Sequence, residues 1–287
     1  MNPLQILSLI LIDIGSLDSL FRTYRQFLGN LFLATCGVYS VFAIVYSLSC
    51  IEIAELTENP AVNDLAHGVF RCISVWNYIV QIVFYISINI THYVNRTGEP
   101  NHWLTKGAQR YECFLEKSFL SVVFPLSLFV CNTFWYVFHN TRDLIYPKII
   151  DDVIPNWYNH TVHTVPVVIV FLHLILVEHK TSPIPMSTSV FIQCAFHAMY
   201  LSMLIILRYL DGVWLYKFLG YYAVSRSSQI ISAILFSFVS PIVYVMMGYK
   251  THAEVEKIVS KVNNKKNNSE LLAKTNNNNY DVEWKLK

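Results

Sequence analysis

The sequence predicts an all-α, polytopic membrane protein, six transmembrane helices in one bundle. Composition and charge placement both lead there. Hydrophobic types make up 54% of the 287 residues and charged types only 14%, against about 25% charged in a typical soluble domain. Polar material is too scarce to cover a water-exposed surface, and mean hydropathy is +0.40. The charges are also excluded from six stretches: 29–50, 72–95, 118–141, 153–177, 181–207 and 227–249. Each supplies the roughly 20 residues a helix needs to cross about 30 Å of hydrocarbon. A helical bundle satisfies its backbone internally in lipid.

The elements follow in order. Residues 1–28 open on MNPLQILSLILI, an apolar run of 12 residues. It is too short to span and has neither a basic flank nor a cleavage site, so an N-terminal interfacial segment is predicted. Residues 29–249 hold the six-helix domain; its fourth window is the most polar, opening VIPNWYNHTVHT before PVVIVFLHLILV. Pro125, Pro166 and Pro241 are positioned to kink three helices. Residues 250–287 are Asn- and Lys-rich and read as a disordered cytosolic tail.

Lys and Arg number 15 in the N-terminal segment, the even-numbered loops and the tail, against 6 in the opposite loops. The excess puts both termini in the cytosol, in an endomembrane such as the endoplasmic reticulum or in the plasma membrane. A net charge of +2 without a basic stripe gives no reason to expect nucleic acid. Cys36, Cys50, Cys72, Cys113, Cys131 and Cys194 form no CxxC pair and read as small core residues. The Asn-x-Ser/Thr sites at Asn89, Asn95, Asn159 and Asn267 fall in the bilayer, beside it, or on the cytosolic side, and predict no glycan. No cofactor is implied.

Polar side chains inside hydrocarbon are costly and need a reason. In the second window Ser74, Asn77, Tyr78 and Gln81 recur at helical spacing; in the fourth, Asn159, His160, His163 and Thr164 do the same. The alternating topology brings both groups to the non-cytosolic boundary, where a hydroxyl could approach an imidazole. An imidazole that accepts the hydroxyl proton makes it a nucleophile. The alternative is structural, since such groups also bridge membrane helices for about 0.6 kcal/mol each. A metal site built from His160, His163, His173 and His197 is a further alternative, but no HxxxH or HExxH accompanies it. His173 and His197 otherwise read as helix-contact residues, and Asp151 and Asp152 as a solvated loop pair.

The stretch from Arg142 to Thr164 resembles the signature of the androgen-induced/androgen-dependent TFPI-regulating protein family. The matching features are Ile145-Tyr146-Pro147-Lys148, Asp151, Ile154-Pro155, Trp157 and Asn159-His160-x-x-His163-Thr164. Glu178 with Thr181-Ser182 and Gly212-x-Trp214-x-Tyr216-x-Phe218-Leu219 resemble later family motifs. The resemblance implies a multi-pass membrane hydrolase of fatty acid esters of hydroxy fatty acids. It also implies a threonine nucleophile paired with the second histidine of NHxxH. That histidine is His163. Around Val80-Gln81-x-Val83-Phe84 the threonine position falls on Ser74, a departure that keeps the γ-oxygen. The expected catalytic pair is therefore Ser74 and His163, with Asn159, His160 and Asn77 as possible oxyanion donors or orienting groups. The expected partners are a lipid ester substrate and membrane lipids. The alternative function is a non-enzymatic transporter, receptor-like protein or scaffold.

Overall fold

The computed structural model describes residues 18–55, 68–152, 154–179, 181–212, 214–221 and 238–261, with residues 231 and 234. All regular structure among them is helical. Helix α1 runs Asp18–Glu55, α2 Ile73–Thr97, α3 Trp103–Ser118 and α4 Phe124–Thr141. After a loop come α5, Asn156–His163, α6, Val165–Leu176, α7, Met186–Asp211, α8, Lys217–Tyr221, and α9 over residues 240–261.

Helices long and apolar enough to cross a membrane cover Tyr24–Cys50, Ile73–Thr97, Trp103–Leu144 and Met186–Asp211, with α5 and α6 a fifth if their bend is one broken span. The sixth expected window, 227–249, lies partly outside the described residues. No break occurs at residue 28, because α1 enters its apolar stretch as one helix. At the other end α9 carries helix past residue 249 to 261; residues 262–287 lie outside the described set.

Two prolines shape the bundle. The α5–α6 pair bends by 43°, and Pro166 stands in the first turn of α6. Its ring has no N–H for the carbonyl four residues back and crowds it. Pro125 has the same effect on the carbonyl of Ser121, inside a π-helical turn, Phe119–Val123, that joins α3 to α4. Gln193 of α7 repairs that gap, Nε2 donating to Ser121 O at 2.8 Å and Val122 O at 3.2 Å.

The core lies where α2, α4 and α6 meet around Tyr85, Phe119, Phe124 and Val170, all essentially inaccessible. A polar seam crosses it: Gln81 Nε2 donates to Ser127 Oγ at 2.7 Å and to Pro166 O at 3.1 Å. Ser127 Oγ in turn reaches Asn77 Oδ1 at 3.2 Å. The outer faces of α1 and α7 expose Phe27, Phe42, Phe191 and Tyr209, the surface a lipid-facing helix presents.

Candidate functional site

At the α2 N-terminal end of the bundle lies a cavity of about 180 Å³, lined chiefly by apolar side chains of α2, α4, α5, α7, α8 and the loop after α4. Its polar wall includes Ser74, Thr133, Asn159, His163 and Tyr216. Of the two polar stripes, Ser74 from the second window and Asn159 and His163 from the fourth meet at this one space.

The sequence fixes His163 locally. Four residues separate it from Asn159, one helical turn, and its Nδ1 lies 3.1 Å from Asn159 O and 2.8 Å from Asn159 Oδ1. A carbonyl oxygen only accepts, so Nδ1 carries the hydrogen and Nε2 is left as the basic nitrogen. The ring also stacks on Phe134, centroids 3.5 Å apart and planes 9° from parallel, which holds its orientation.

Ser74 sits in the first turn of α2, beside backbone N–H groups that have no partner within the helix. One of them, Ile73 N–H, donates to Tyr216 Oη at 2.8 Å. Tyr216 is 2.9 Å from Tyr200 Oη, and Tyr200 Oη donates to Arg71 O at 2.9 Å. The order of donors is thus fixed: Ile73 to Tyr216, Tyr216 to Tyr200, Tyr200 to Arg71. Two tyrosines from α7 and the chain before α8 pin the turn that carries Ser74, and burial holds the Tyr216 phenol neutral, well above its ordinary pKa.

The other expected residues separate from this pair. His160 lines a different, polar cavity with Trp135, His139, Arg142 and Asp151; its Nδ1 is 3.0 Å from Thr164 Oγ1 and its ring stacks on Trp135. A helical offset of three does not place His160 and His163 in one cavity here. Asn77 is fully buried in the α2–α4 seam, away from the cavity lining. Asp151 is not simply solvated: it pairs with Arg142, whose guanidinium lies over Phe138 and Tyr146. That pair folds the post-α4 loop so that Tyr146 and Ile150 close the cavity, and burial pushes the Tyr146 phenol up to about 12. Among the described residues the four histidines are not gathered into a metal-ligand set; His173 packs on Phe119 at 4.1 Å, whereas His197 lines the cavity. The six cysteines are free thiols.

Thr133 and Tyr216 escaped the reading of the sequence. Thr133 follows Asn132 without a polar stripe, while Tyr216 lies in a motif whose contact spans 143 residues.

A membrane-embedded helical bundle that encloses an apolar cavity with a hydroxyl and an oriented imidazole on its wall defines the class. The family model for FAR-17a/AIG1-like protein matches residues 34–253, and the chain belongs to that family. It is 32% identical over 155 residues to the human androgen-dependent TFPI-regulating protein, covering 53% of this chain and 64% of that protein. To the human androgen-induced gene 1 protein it is 26% identical over 193 residues, covering 65% and 78%. The rat androgen-dependent TFPI-regulating protein is 33% identical over 132 residues, 44% of this chain and 56% of its own. The matched region thus spans less than two thirds of both androgen-dependent TFPI-regulating proteins. No solved structure matches the chain.

Proposed function

We propose that this chain is a membrane-embedded hydrolase of fatty acid esters of hydroxy fatty acids, with Ser74 as nucleophile and His163 as general base. In this reading six helices span the bilayer and both termini are cytosolic. One observation carries it: Ser74 and His163 line the same apolar cavity, and Asn159 holds the histidine with Nε2 as the basic nitrogen.

His163 Nε2 takes the Ser74 proton as Oγ attacks the ester carbonyl. The tetrahedral intermediate expels the hydroxy fatty acid, whose oxygen receives that proton from His163. Water activated by the same nitrogen then cleaves the acyl-serine and restores the hydroxyl. Asn159 Nδ2 is available as an oxyanion donor. The acyl chains occupy the apolar wall, as befits a substrate that partitions into lipid.

The test is hydrolysis of such an ester by membranes bearing wild type, Ser74→Ala, His163→Ala or Thr133→Val at matched expression. Loss of about 10²-fold or more is expected for the first two substitutions, with Thr133→Val near wild type. Activity that survives Ser74→Ala but not Thr133→Val would move the nucleophile to Thr133. A transporter is favoured by the broken α5–α6 span, because transporter sites are often built on discontinuous helices. Covalent labelling of Ser74 by a fluorophosphonate separates the two readings, since a transporter has no activated hydroxyl.

A further inference from the structure

A second polar cavity, of about 530 Å³, lies at the opposite end of the bundle, between the start of α1, the end of α2, α3 and the end of α6. Ser74 and His92 stand at the two ends of α2, 18 residues apart, or about 27 Å along the helix axis. That is close to the hydrocarbon thickness of about 30 Å, so the second cavity belongs at the headgroup level of the other leaflet.

Its wall carries charges of both signs. Arg25 donates from Nε to Ile175 O at 3.1 Å and from Nη2 to Val177 O at 3.4 Å, and Arg96 donates from Nη2 to Asn30 Oδ1 at 2.8 Å. These acceptors are neutral, and among the described residues neither guanidinium has a carboxylate within ion-pair distance, although the charges of Glu178 and Glu256 act on Arg25 from further away. A guanidinium has five N–H donors, so both arginines keep donors to spare. On the acidic side, Glu112 is held by His92 at 3.1 Å and by Asn95 Nδ2 at 2.5 Å. Glu178 is exposed at the rim, and Asn95 Oδ1 is a buried acceptor with no partner among the described residues.

Spare donors of positive charge ask for an anion; an exposed carboxylate and an orphaned acceptor in the same cavity ask for a cation that carries N–H. We propose that this cavity binds a phosphate with a primary ammonium beside it, the phosphoethanolamine arrangement, through Arg25 and Arg96 on the phosphate and Glu178 and Asn95 Oδ1 on the ammonium. Basic cavities between membrane helices at a bilayer face suit phospholipid headgroups, and the bidentate guanidinium suits phosphate. The assignment is independent of the hydrolase reading and does not involve Ser74 or His163.

The test uses the full-length detergent-purified protein and follows its thermal midpoint with mixed micelles of phosphatidylethanolamine, phosphatidylcholine or phosphatidylglycerol, and with soluble phosphoethanolamine. Phosphatidylethanolamine is expected to stabilise more than phosphatidylcholine, which has the phosphate but no N–H, and more than phosphatidylglycerol, which has no cation. Arg25→Gln and Arg96→Gln are each expected to weaken phosphatidylethanolamine binding by about tenfold, the loss of one charge-assisted contact. Glu178→Gln should narrow the margin over phosphatidylcholine. Competition by soluble phosphoethanolamine would show that the free headgroup suffices; its absence beside a lipid response would assign the intact lipid. Equal responses to the three lipids, or a phosphatidylethanolamine response unchanged in a helical Arg96→Gln protein, would overturn the proposal. Arg96 is exposed, so its substitution does not put folding at stake.

Discussion

The hydrogen on His163 Nδ1 decides what the proposed base can do, and Asn159 puts it there. Asn159→Leu removes the side-chain acceptor and leaves the backbone one. Ester hydrolysis is therefore expected to fall by about tenfold to a hundredfold, less than in His163→Ala, and kcat measured in membranes checks this. Tyr216→Phe keeps the ring but removes the acceptor for Ile73 N–H. The turn carrying Ser74 loosens, so kcat should drop while KM stays near wild type, and amide exchange at Ile73 should quicken. His179, between α6 and α7, gives a pH prediction. Burial, then His252 and Arg25, lower its pKa from 6.5 to about 4, so the folded protein keeps it neutral. Between those values the unfolded chain binds more protons, and stability falls as pH drops from about 6.5 towards 4. Thermal midpoints across that range should decline less steeply in His179→Gln. At this scale the placing of Ser74 and His163 on one cavity wall was legible, because alternating helices bring the starts of the second and fourth windows to the same end of the bundle. Tyr216 was not, because the partner of a helix-end N–H is set by tertiary folding.

Helices were legible where composition alone sets them, and less so where neighbours do. The second and fifth windows fall within a few residues of α2 and α7, because charges mark where the hydrocarbon ends. The third window begins at Ser118, but helix begins at Trp103. Lys106, Arg110 and Lys117 interrupt hydropathy without interrupting hydrogen bonds, and the tract from Trp103 to Leu144 is, at 42 residues, about twice what a crossing needs. Pro125 and Pro166 foretold where two helices depart from regularity, but not what repairs them: only the fold shows Gln193 serving the carbonyl freed by Pro125. The α1–α6 crossing rests on Gly29, where an added Cβ would lie 2.7 Å from Leu176 O. That neighbour is backbone and cannot rotate away. Alanine favours helix over glycine by up to about 1 kcal/mol, yet Gly29→Ala is expected to cost about 1–3 kcal/mol as the two helices part. A lowered thermal midpoint in detergent would show it, together with weaker phosphatidylethanolamine binding, since Gly29 also lines the second cavity.

The molecule as a whole places an apolar cavity with a hydroxyl and an imidazole at one end of α2, and a cavity of mixed charge at the other. Which end meets which compartment follows from the basic residues. Arg25, Arg96, Lys106, Arg110 and Lys117 belong to the end with the charged cavity, together with Lys250, Lys257 and Lys261 of α9. Lys and Arg within reach of a membrane face stay on the cytosolic side, so that end is expected to be cytosolic and the Ser74 cavity to open towards the lumen or exterior. Water for deacylation then enters from there, and the second cavity meets cytosolic-leaflet lipid. In cells whose plasma membrane alone is permeabilised, an epitope after Lys287 should be reached by antibody. For a protein in an internal membrane, an epitope inserted between residues 56 and 67 should be reached only after detergent opens every membrane. At the cell surface the second epitope should instead stain without permeabilisation. The reverse pattern would invert the bundle, put Ser74 and His163 on the cytosolic side, and leave the product acids to be released where the termini lie.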